Sequence, residues 1–321
     1  MGGDVPMAVR DIPELKDDII RLKRETDMAV LVHSYQDPDL ADVADGTGDC
    51  IELAQALRRS GHRQAVVCGV RYVAEVVALL CPDREITLAH PQARCPMSGQ
   101  VYPGRVRSWR EEHPEACVVC SVHFGPQLMA ECDLCITQNN ALEVLGASGA
   151  RRMLLLTDSN LGTWLSRRLP EKEIELWPCS CPAMNNAQAV DVELCRIKWP
   201  NALIAANGAL RPEVTDLADM SGSTAQIMEY CAATEKTVIV ADEISVCSAL
   251  RRALPGRDIW QLAPSKLICG NMKLTGLETL ERALKGEFGM HISVDPFTAE
   301  KAMVPMDRML KMSGIYDFSK N

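Results

Sequence analysis

Val30-Leu31-Val32-His33 is a short apolar run that ends in a polar residue, and the chain contains two further runs of the same kind. The counterparts are Val118-Val119-Cys120-Ser121 and Ile204-Ala205-Ala206-Asn207. The last residues of the three runs are spaced by 88 positions (33 to 121) and 86 positions (121 to 207). Because recurrence at a fixed period is typical of repeated supersecondary units, this spacing predicts three copies of a unit of about 87 residues.

Short apolar runs alternate with amphipathic helical segments along the rest of the chain. One such segment is Cys50–Arg59, which lies between two apolar runs. Short runs separated by helical patterns indicate a βαβ succession and a parallel sheet. The strands predicted in this way are Ala29–Val32, Ala65–Cys68, Ile86–Ala89, Cys117–Val122, Met153–Leu156, Ala202–Ala206 and Val238–Ala241.

A cysteine follows the third strand of every predicted repeat. The strands Ile86–Leu88, Ile174–Leu176 and Ile259–Gln261 lead to Cys95, Cys181 and Cys269 in turn. These cysteines are spaced by 86 positions (95 to 181) and 88 positions (181 to 269), and each has a methionine two or three positions downstream. Parallel sheets bind ligands beyond the carboxyl ends of their strands. Three similar domains around a pseudo-threefold axis would therefore bring the three thiols together.

Three cysteines that meet in one place favour an iron–sulfur cluster. Thiolates are soft ligands, and a fully ligated [4Fe–4S] cluster takes one thiolate for each iron. Cys95, Cys181 and Cys269 would leave one iron open, and an open iron can act as a Lewis acid. Structural zinc is the second choice, because it normally takes four protein ligands and no histidine recurs at the same repeat position. Cys179 is interpreted as a neighbour of Cys181, with a surrogate ligand as the alternative.

A second cysteine pattern competes with this prediction. Cys117-x-x-Cys120 and Cys132-x-x-Cys135 have spacings that resemble those of a zinc ribbon. The first pair lies inside a predicted apolar strand, and the second pair lies around the next strand. Buried cysteine packs as a small hydrophobic side chain, and we favour that interpretation for all four.

The composition restricts the classes of function. The 321-residue chain has a formal net charge of -9 and a pI near 5.3. Nucleic acids and anionic membranes require a Lys/Arg face, so neither is expected as a partner, and a small-molecule substrate is expected instead. No signal-peptide pattern is found at Met1–Arg24, and no stretch approaches the ~20 apolar residues that span a bilayer. We therefore expect a cytoplasmic protein with reduced cysteines.

Several motifs resemble those of the quinolinate synthase family, and the resemblance runs nearly end to end. The segments that carry it are His33-Ser34-Tyr35-Gln36, Gly48-Asp49-Cys50, Gly69–Glu75, Ala93–Met97, Gly222-Ser223-Thr224, Cys269–Lys273 and Arg308-Met309-Leu310. The resemblance implies an α/β fold of three similar three-layer αβα (Rossmann-like) domains around a pseudo-threefold axis, with a [4Fe–4S] site at the centre. We expect the domains at residues 1–90 (with 270–321 packing back onto them), 91–176 and 177–269.

The resemblance also implies a reaction. In the family, iminoaspartate condenses with dihydroxyacetone phosphate, and the product loses phosphate and water before it closes to quinolinate. The iron that no cysteine ligates holds the substrate and assists dehydration.

The sequence departs from the family's motifs at positions that include substrate-carboxylate donors and acid–base groups. Alanine has no group to titrate, so Ala209 cannot perform the proton transfer of a glutamate. The cluster is expected to carry over, whereas the substrate is expected to differ. The departures are Ser121-Val122-His123 for Tyr-x-Asn, Asn207-Gly208-Ala209 for His-Pro-Glu, Thr137-Gln138 for Thr-Ser, Thr157-Asp158-Ser159 for Pro-Asp-Lys, and Cys50 for a serine.

Three residues are candidates for proton transfer. His33 and Tyr35 lie just past a predicted strand end, and Tyr35 could donate a proton to a leaving hydroxyl. The alternative is a plain loop histidine and a packed tyrosine. His123 occupies the equivalent rim of the second repeat, where it could take over the lost acid–base work or simply be solvated.

Six residues are candidates for substrate binding. Ser223 and Thr224 open a predicted helix at Ala225–Ala233 and could hold a phosphate or carboxylate, with ordinary N-capping as the alternative. Cys50 opens the helix Cys50–Arg59, whose dipole would lower the pKa of its thiol. Cys50 could therefore be a nucleophile or an extra cluster ligand, with packing in the core as the alternative. The other three, which the resemblance places at the substrate, are Ser121, Gln138 and Asn207.

The motifs and the resemblance thus predict a [4Fe–4S]-dependent enzyme of the quinolinate synthase family that uses an open iron for dehydration or condensation. Its substrate is expected to be a small polar carboxylate or phosphate, and the chain is expected to be a divergent paralogue with an altered substrate. Three alternatives remain. The chain could be a genuine quinolinate synthase, it could use the open iron to hold hydrosulfide for sulfur insertion or removal, or it could be a non-catalytic cluster sensor.

Overall fold

The computed structural model describes residues 10–314 and contains three sheets. The strands are β1 (Met28–His33), β2 (Gly46–Gly48), β3 (Gln64–Cys68), β4 (Glu85–Leu88), β5 (Cys117–Ser121), β6 (Leu134–Ile136), β7 (Arg152–Leu156), β8 (Glu173–Leu176), β9 (Leu203–Asn207), β10 (Met220–Gly222), β11 (Val238–Ala241), β12 (Ile259–Gln261) and β13 (Met290–Ile292).

Fourteen α-helices connect and cover these strands within the described residues. They are α1 (Ile12–Thr26), α2 (Pro38–Ala41), α3 (Cys50–Ser60), α4 (Arg71–Leu80), α5 (Pro103–Glu112), α6 (Pro126–Met129), α7 (Ala141–Ala147), α8 (Ser159–Arg168), α9 (Ala189–Lys198), α10 (Pro212–Thr215), α11 (Thr224–Ala233), α12 (Ile244–Ala253), α13 (Leu277–Leu284) and α14 (Pro296–Met312).

Four strands of each sheet have the same order, and the first sheet has β13 as a fifth strand. The first runs β2-β1-β3-β4, the second β6-β5-β7-β8 and the third β10-β9-β11-β12, with every neighbouring pair parallel. In each sheet the first strand of the repeat is central, and its helices cover both faces. This explains why β1, β3, β5, β9 and β11 read as continuous apolar runs rather than alternating ones. The predicted α/β fold of three similar repeats is confirmed.

The ends of the first strands lie at corresponding places. His33 pairs with Gly48, Ser121 with Ile136, and Asn207 with Gly222. Each pair stands at the carboxyl edge of its sheet, where parallel α/β sheets bind ligands. The residues that defined the repeat in the sequence therefore mark three equivalent positions at the binding edge.

The C-terminal segment contacts two repeats. β13 pairs antiparallel with β4, and α13 packs on α1 and β3, so both belong to the first sheet's layers. The prediction that all of 270–321 packs back onto the first repeat needs a correction, because α14 packs on α6, α7 and β6 of the second repeat. The helix buries Ala302, Met306, Met309 and Leu310, whose spacing forms one apolar stripe. The domain boundaries themselves stay a prediction, and residues 1–9 and 315–321 lie outside the described chain.

Candidate metal centre and active site

One cavity is lined by a thiol from every repeat. Cys95 follows β4, Cys181 follows β8 and Cys269 follows β12, and all three line a cavity whose empty space, including its mouth, is about 650 Å³. We call this the thiol cavity. Besides burial, the charge of Cys269 raises the pKa of Cys95, and the charges of Cys95 and Cys269 raise the pKa of Cys181, so the three groups face a common space. The three cysteines that were singled out because they follow strand ends therefore line one cavity.

The methionine that recurs after each cysteine has a structural explanation. A short 3₁₀ turn follows every cysteine, at Pro96–Gly99, Met184–Asn186 and Met272–Leu274. In these turns the backbone N–H groups of Met97, Met184 and Met272 donate to the preceding thiols. The three methionine side chains are buried and line the thiol cavity. Each turn therefore supplies both a hydrogen-bond donor for sulfur and an apolar wall.

These residues suit an iron–sulfur cluster better than a single ion. Burial raises the pKa of Cys95 to about 11 and that of Cys181 to about 12, so the free thiols are protonated at neutral pH. A metal group must displace those protons, and the N–H donors are placed to stabilise the thiolates that result. Within residues 10–314, no three His, Cys, Asp or Glu side chains are grouped closely enough to hold one metal ion. Zinc, the second choice, therefore fits less well.

Two of the three cysteines are anchored by a buried carboxylate. Asp158 follows β7, caps helix α8 and accepts the backbone N–H of Cys181 at 2.7 Å. Glu243 follows β11, caps helix α12 and accepts the backbone N–H of Cys269 at 3.2 Å. Glu243 is fully buried and also accepts from Lys273 Nζ at 3.0 Å. The sequence reasoning missed these two anchors, although each is the first or second polar residue after a predicted strand.

The four cysteines with zinc-ribbon spacing lie in and around the second sheet. Cys120, Cys132 and Cys135 are buried in the main hydrophobic core, and Cys117 packs against it. Cys120 Sγ lies 3.8 Å from Cys135 Sγ, and Cys132 Sγ donates to a main-chain carbonyl of its own turn at 3.2 Å. This arrangement supports the packing interpretation.

A second, more polar pocket adjoins the thiol cavity. Tyr35, Tyr72, His123 and Gln138 line both spaces. The other members of this polar pocket are His33, Ser34, Asp49, Cys50, Val122, Thr137, Asn139 and Thr224. A molecule bound at the thiols would therefore extend toward the residues that the sequence singled out.

A hydrogen-bond network behind these walls connects all three repeats. Tyr35 Oη donates to Asp242 Oδ1 at 3.1 Å, and Thr224 Oγ1 donates to Asp242 Oδ2 at 2.8 Å. Asn207 Nδ2 donates to Asp242 Oδ2 at 2.9 Å, and Gln138 Nε2 donates to Asn207 Oδ1. Tyr35 comes from the first repeat, Gln138 from the second and the rest from the third. Three residues predicted at the substrate and one predicted acid–base residue are thus brought together.

Asp242 is the centre of this network and was missed from the sequence. Its side chain is fully buried, and burial raises the pKa of its carboxyl to about 6 even though three side chains and a backbone N–H donate to it. It immediately follows the predicted strand Val238–Ala241. The available signal was its position at the carboxyl end of a parallel strand, the same edge of the sheets from which the three cysteines were inferred.

His33 is held as a neutral imidazole. Its Nδ1 accepts the backbone N–H of Tyr35 at 3.1 Å, so the neutral ring carries its proton on Nε2. Burial, with smaller contributions from His123 and Lys273, lowers the pKa of His33 to about 3. His33 therefore offers a neutral N–H donor to the polar pocket at physiological pH.

The lowered pKa of His33 predicts a specific acid sensitivity. Because the folded pKa lies below the ordinary value of 6.5, its stabilising contribution is complete above pH 6.5 and is lost as the pH falls toward 3. Between pH 6.5 and 4.5 we expect the unfolding free energy of the wild-type protein to fall about 2.5 kcal/mol further than that of His33→Gln. Urea titrations of cluster-free protein measure this difference. His291→Gln, in exposed β13, is the control and should parallel the wild type; a parallel His33→Gln curve would contradict the burial argument.

His123 and Ser121 form a pair in the second repeat. His123 Nδ1 lies 2.5 Å from Ser121 Oγ, and its ring packs on Tyr72 with centroids 4.7 Å apart. Burial lowers the pKa of His123 to about 4. His123 lines both spaces, whereas Ser121 is buried behind it. Of the two alternatives, the structure favours a site-facing histidine over a solvated one.

The structure bears on the predictions for two helix N-termini. Cys50 is buried at the start of α3, and burial together with the charge of Asp49 raises its thiol pKa well above 9, so the expected lowering by the helix dipole was wrong. Ser223 is the N-cap of α11 and forms a capping box with Gln226, which matches the N-capping alternative. Thr224, in contrast, reaches the polar pocket.

The fold and the cavity together define a class, namely α/β proteins of three similar repeats whose shared cavity carries one thiol from each repeat. The chain belongs to the quinolinate synthase family, because the family described as quinolinate synthetase A protein matches residues 17–311. Members of this family are [4Fe–4S] enzymes of NAD biosynthesis.

Relatives of full length support this membership. A quinolinate synthase of Methanoregula boonei is 34% identical over 94% of this chain and 99% of its own. Those of Alkaliphilus metalliredigens and Aquifex aeolicus are each 31% identical, over 92% and 94% of this chain and 97% and 95% of their own. Within the described residues, none of the helices is both long and apolar enough to cross a membrane.

Proposed function

We propose that this protein binds a [4Fe–4S] cluster through Cys95, Cys181 and Cys269, leaves one iron without a cysteine ligand, and catalyses dehydration or condensation of a small polar substrate. The observation that carries the proposal is the convergence of one thiol from each repeat on a cavity that adjoins a polar pocket. When bound, such a cluster supplies a Lewis acid that polarises a substrate oxygen. Reduced thiols and an acidic chain suit a protein of the cytoplasm.

The protein's own residues would bind the substrate and move protons. Tyr35 and His123 line both spaces, so each can reach a group held near the thiols. The pKa of Tyr35 is raised well above 10 by burial and by Asp242, so its hydroxyl stays protonated and its proton is directed to Asp242 Oδ1. His33 donates from Nε2, and Gln138 and Thr224 contribute polar contacts from the second and third repeats.

The substrate is proposed to differ from that of the family's named members. Ala209 lines the thiol cavity where the family's motif has a glutamate, and it offers no proton. Genuine quinolinate synthesis is the second candidate, and the full-length relatives named quinolinate synthase favour it. The sulfur-transfer alternative loses support, because the raised pKa of Cys50 makes it a poor nucleophile.

Anaerobic purification tests the proposal. Iron and sulfide content with Mössbauer spectroscopy should show a [4Fe–4S] cluster with one distinct iron site. The same sample is then assayed for quinolinate formation from iminoaspartate and dihydroxyacetone phosphate. A cluster without quinolinate supports a changed substrate, a cluster with quinolinate supports the second candidate, and a protein that holds no cluster contradicts both.

A further inference from the structure

The donors expected to bind a substrate carboxylate already bind one that belongs to the protein. Asp242 accepts the hydroxyls of Tyr35 and Thr224 and the amide of Asn207 at 3.1, 2.8 and 2.9 Å. It also accepts its neighbouring backbone N–H, from Glu243, at 2.6 Å. Its carboxylate is completely removed from solvent. Tyr35, Thr224 and Asn207 are therefore satisfied without any substrate anion.

Resting on the function proposed above, we propose that Asp242 determines substrate specificity. Its carboxylate takes the place of a substrate carboxylate or phosphate. The substrate instead presents a hydrogen-bond donor, an amine or an amide, to the side of the polar pocket that Gln138 lines. Asp242 acts here through Tyr35, Asn207 and Gln138, and is therefore a positioning residue rather than a catalytic one.

The carboxylate fixes the orientation of two side-chain amides. A carboxylate only accepts, so Asn207 must turn its Nδ2 toward Asp242 and its Oδ1 away. That Oδ1 accepts the backbone N–H of Ala209 at 2.9 Å and also the Nε2 group of Gln138. Gln138 turns its Oε1 toward the polar pocket, where Tyr35 Oη is a long-range donor to it at 3.5 Å, and the oxygen keeps a second acceptor site. The group that faces the substrate is thus an acceptor, which suits a donor such as an amine.

The charges on the walls of the thiol cavity and the polar pocket also favour a substrate group that donates hydrogen bonds over an anionic one. Among the described residues that line the thiol cavity or the polar pocket, none is Lys or Arg, whereas Asp49, Asp158 and Glu243 are present. Lys273 lies nearby, but its Nζ donates to Glu243 and to the carbonyl of Tyr35. A second anionic group held within these two spaces would meet carboxylates on their walls and no Lys or Arg there, and like charges at close range disfavour binding.

A pair of pyridine probes isolates this effect. Pyridine-2,3-dicarboxylate and 3-aminopyridine-2-carboxylate share a ring nitrogen and one carboxylate, and differ only in the group that would face Gln138. Isothermal titration of the cluster-loaded protein should show the amino compound binding at least about tenfold tighter than the dicarboxylate. In Asp242→Ala, which frees the Tyr35, Thr224 and Asn207 donors, the preference should reverse.

Two further variants keep the outcome interpretable. Asp242→Asn keeps the side-chain volume and removes the charge, and its preference should shrink to about twofold or less. Asp219→Asn is the matched control, because Asp219 is a carboxylate of the same repeat that accepts the backbone N–H of Ile204 at 2.7 Å outside the site. Its preference should equal that of the wild type.

Three results would overturn the inference. They are equal or tighter binding of the dicarboxylate by the wild type, an unchanged amine preference in both Asp242 variants, and no measurable binding of either probe. The same titrations on cluster-free protein separate this inference from the proposed function. The amine preference depends on Asp242 and should persist without the cluster, whereas iron content alone decides whether the cluster is bound.

Discussion

Cys181→Ala is expected to purify with its iron and sulfide content reduced at least roughly tenfold. Loss of a residue that only hydrogen-bonds to a metal ligand already lowers metal affinity by about that factor, so loss of a ligand should lower it at least as much. Cys181 is the second repeat's contribution to the thiol cavity, and the other residues of its turn provide no replacement thiol there. Metal analysis and visible absorption of anaerobically purified protein measure the loss.

Cys179→Ala is the matched control for this experiment. Cys179 is buried two residues away, its carbonyl accepts from Ser159 Oγ at 2.6 Å, and its side chain is not part of the thiol cavity wall. The control should keep the iron content of the wild type. Equal losses in Cys179→Ala and Cys181→Ala would revive the surrogate-ligand alternative, and full iron retention in Cys181→Ala would contradict the proposed ligand set.

Glu243→Ala is expected to lower the free energy of unfolding of the cluster-free protein by about 3 kcal/mol. This value is at the lower end of the range for breaking a buried ion pair, because the partner Lys273 is 26% exposed. The truncation also leaves the backbone N–H groups of Ser245 and Cys269 without their carboxylate acceptor. Since one of these groups belongs to a proposed ligand, iron content should fall as well. Urea titration and metal analysis measure the two effects.

Two other substitutions bracket that result. Glu243→Gln keeps one acceptor but loses the ion pair, so it should lie between the wild type and Glu243→Ala in both measurements. Glu213→Ala removes an exposed ion pair, in which Glu213 lies 2.7 Å from Arg211 Nε, and should change stability by less than about 0.5 kcal/mol. If Glu243→Ala were no less stable than Glu213→Ala, the buried carboxylate would not anchor this loop.

The regular part of the fold could be predicted because it depends on long apolar runs. The predicted strand Val238–Ala241 has the observed bounds, and helix Cys50–Arg59 ends one residue short. Two of the edge strands were harder. Gly46–Gly48 and Met220–Gly222 contain no apolar run, whereas the edge strands at Ile174–Leu176 and Ile259–Gln261 carry apolar residues and were predicted. β13 is three residues long, and its pairing with β4 depends on a contact across most of the chain.

The candidate site was predictable where it repeats and not where it is unique. Cys95 and its two counterparts could be found because they recur at one position. Asp242 has no counterpart of that kind, and its importance depends on Tyr35 arriving from another repeat. The direction of the Cys50 pKa shift was likewise decided by burial, which a helix N-terminus in the sequence does not reveal.

The wide separation of the three thiols along the chain affects how the protein matures. Under the proposed ligand set, a nascent chain carries an incomplete set of ligands until Cys269 has been synthesised and its repeat has folded. Cluster insertion is then a late event that ties three folding units into one cooperative assembly. Iron chelation should accordingly destabilise all three repeats together. When iron is scarce, we therefore expect the whole protein to be destabilised rather than one domain.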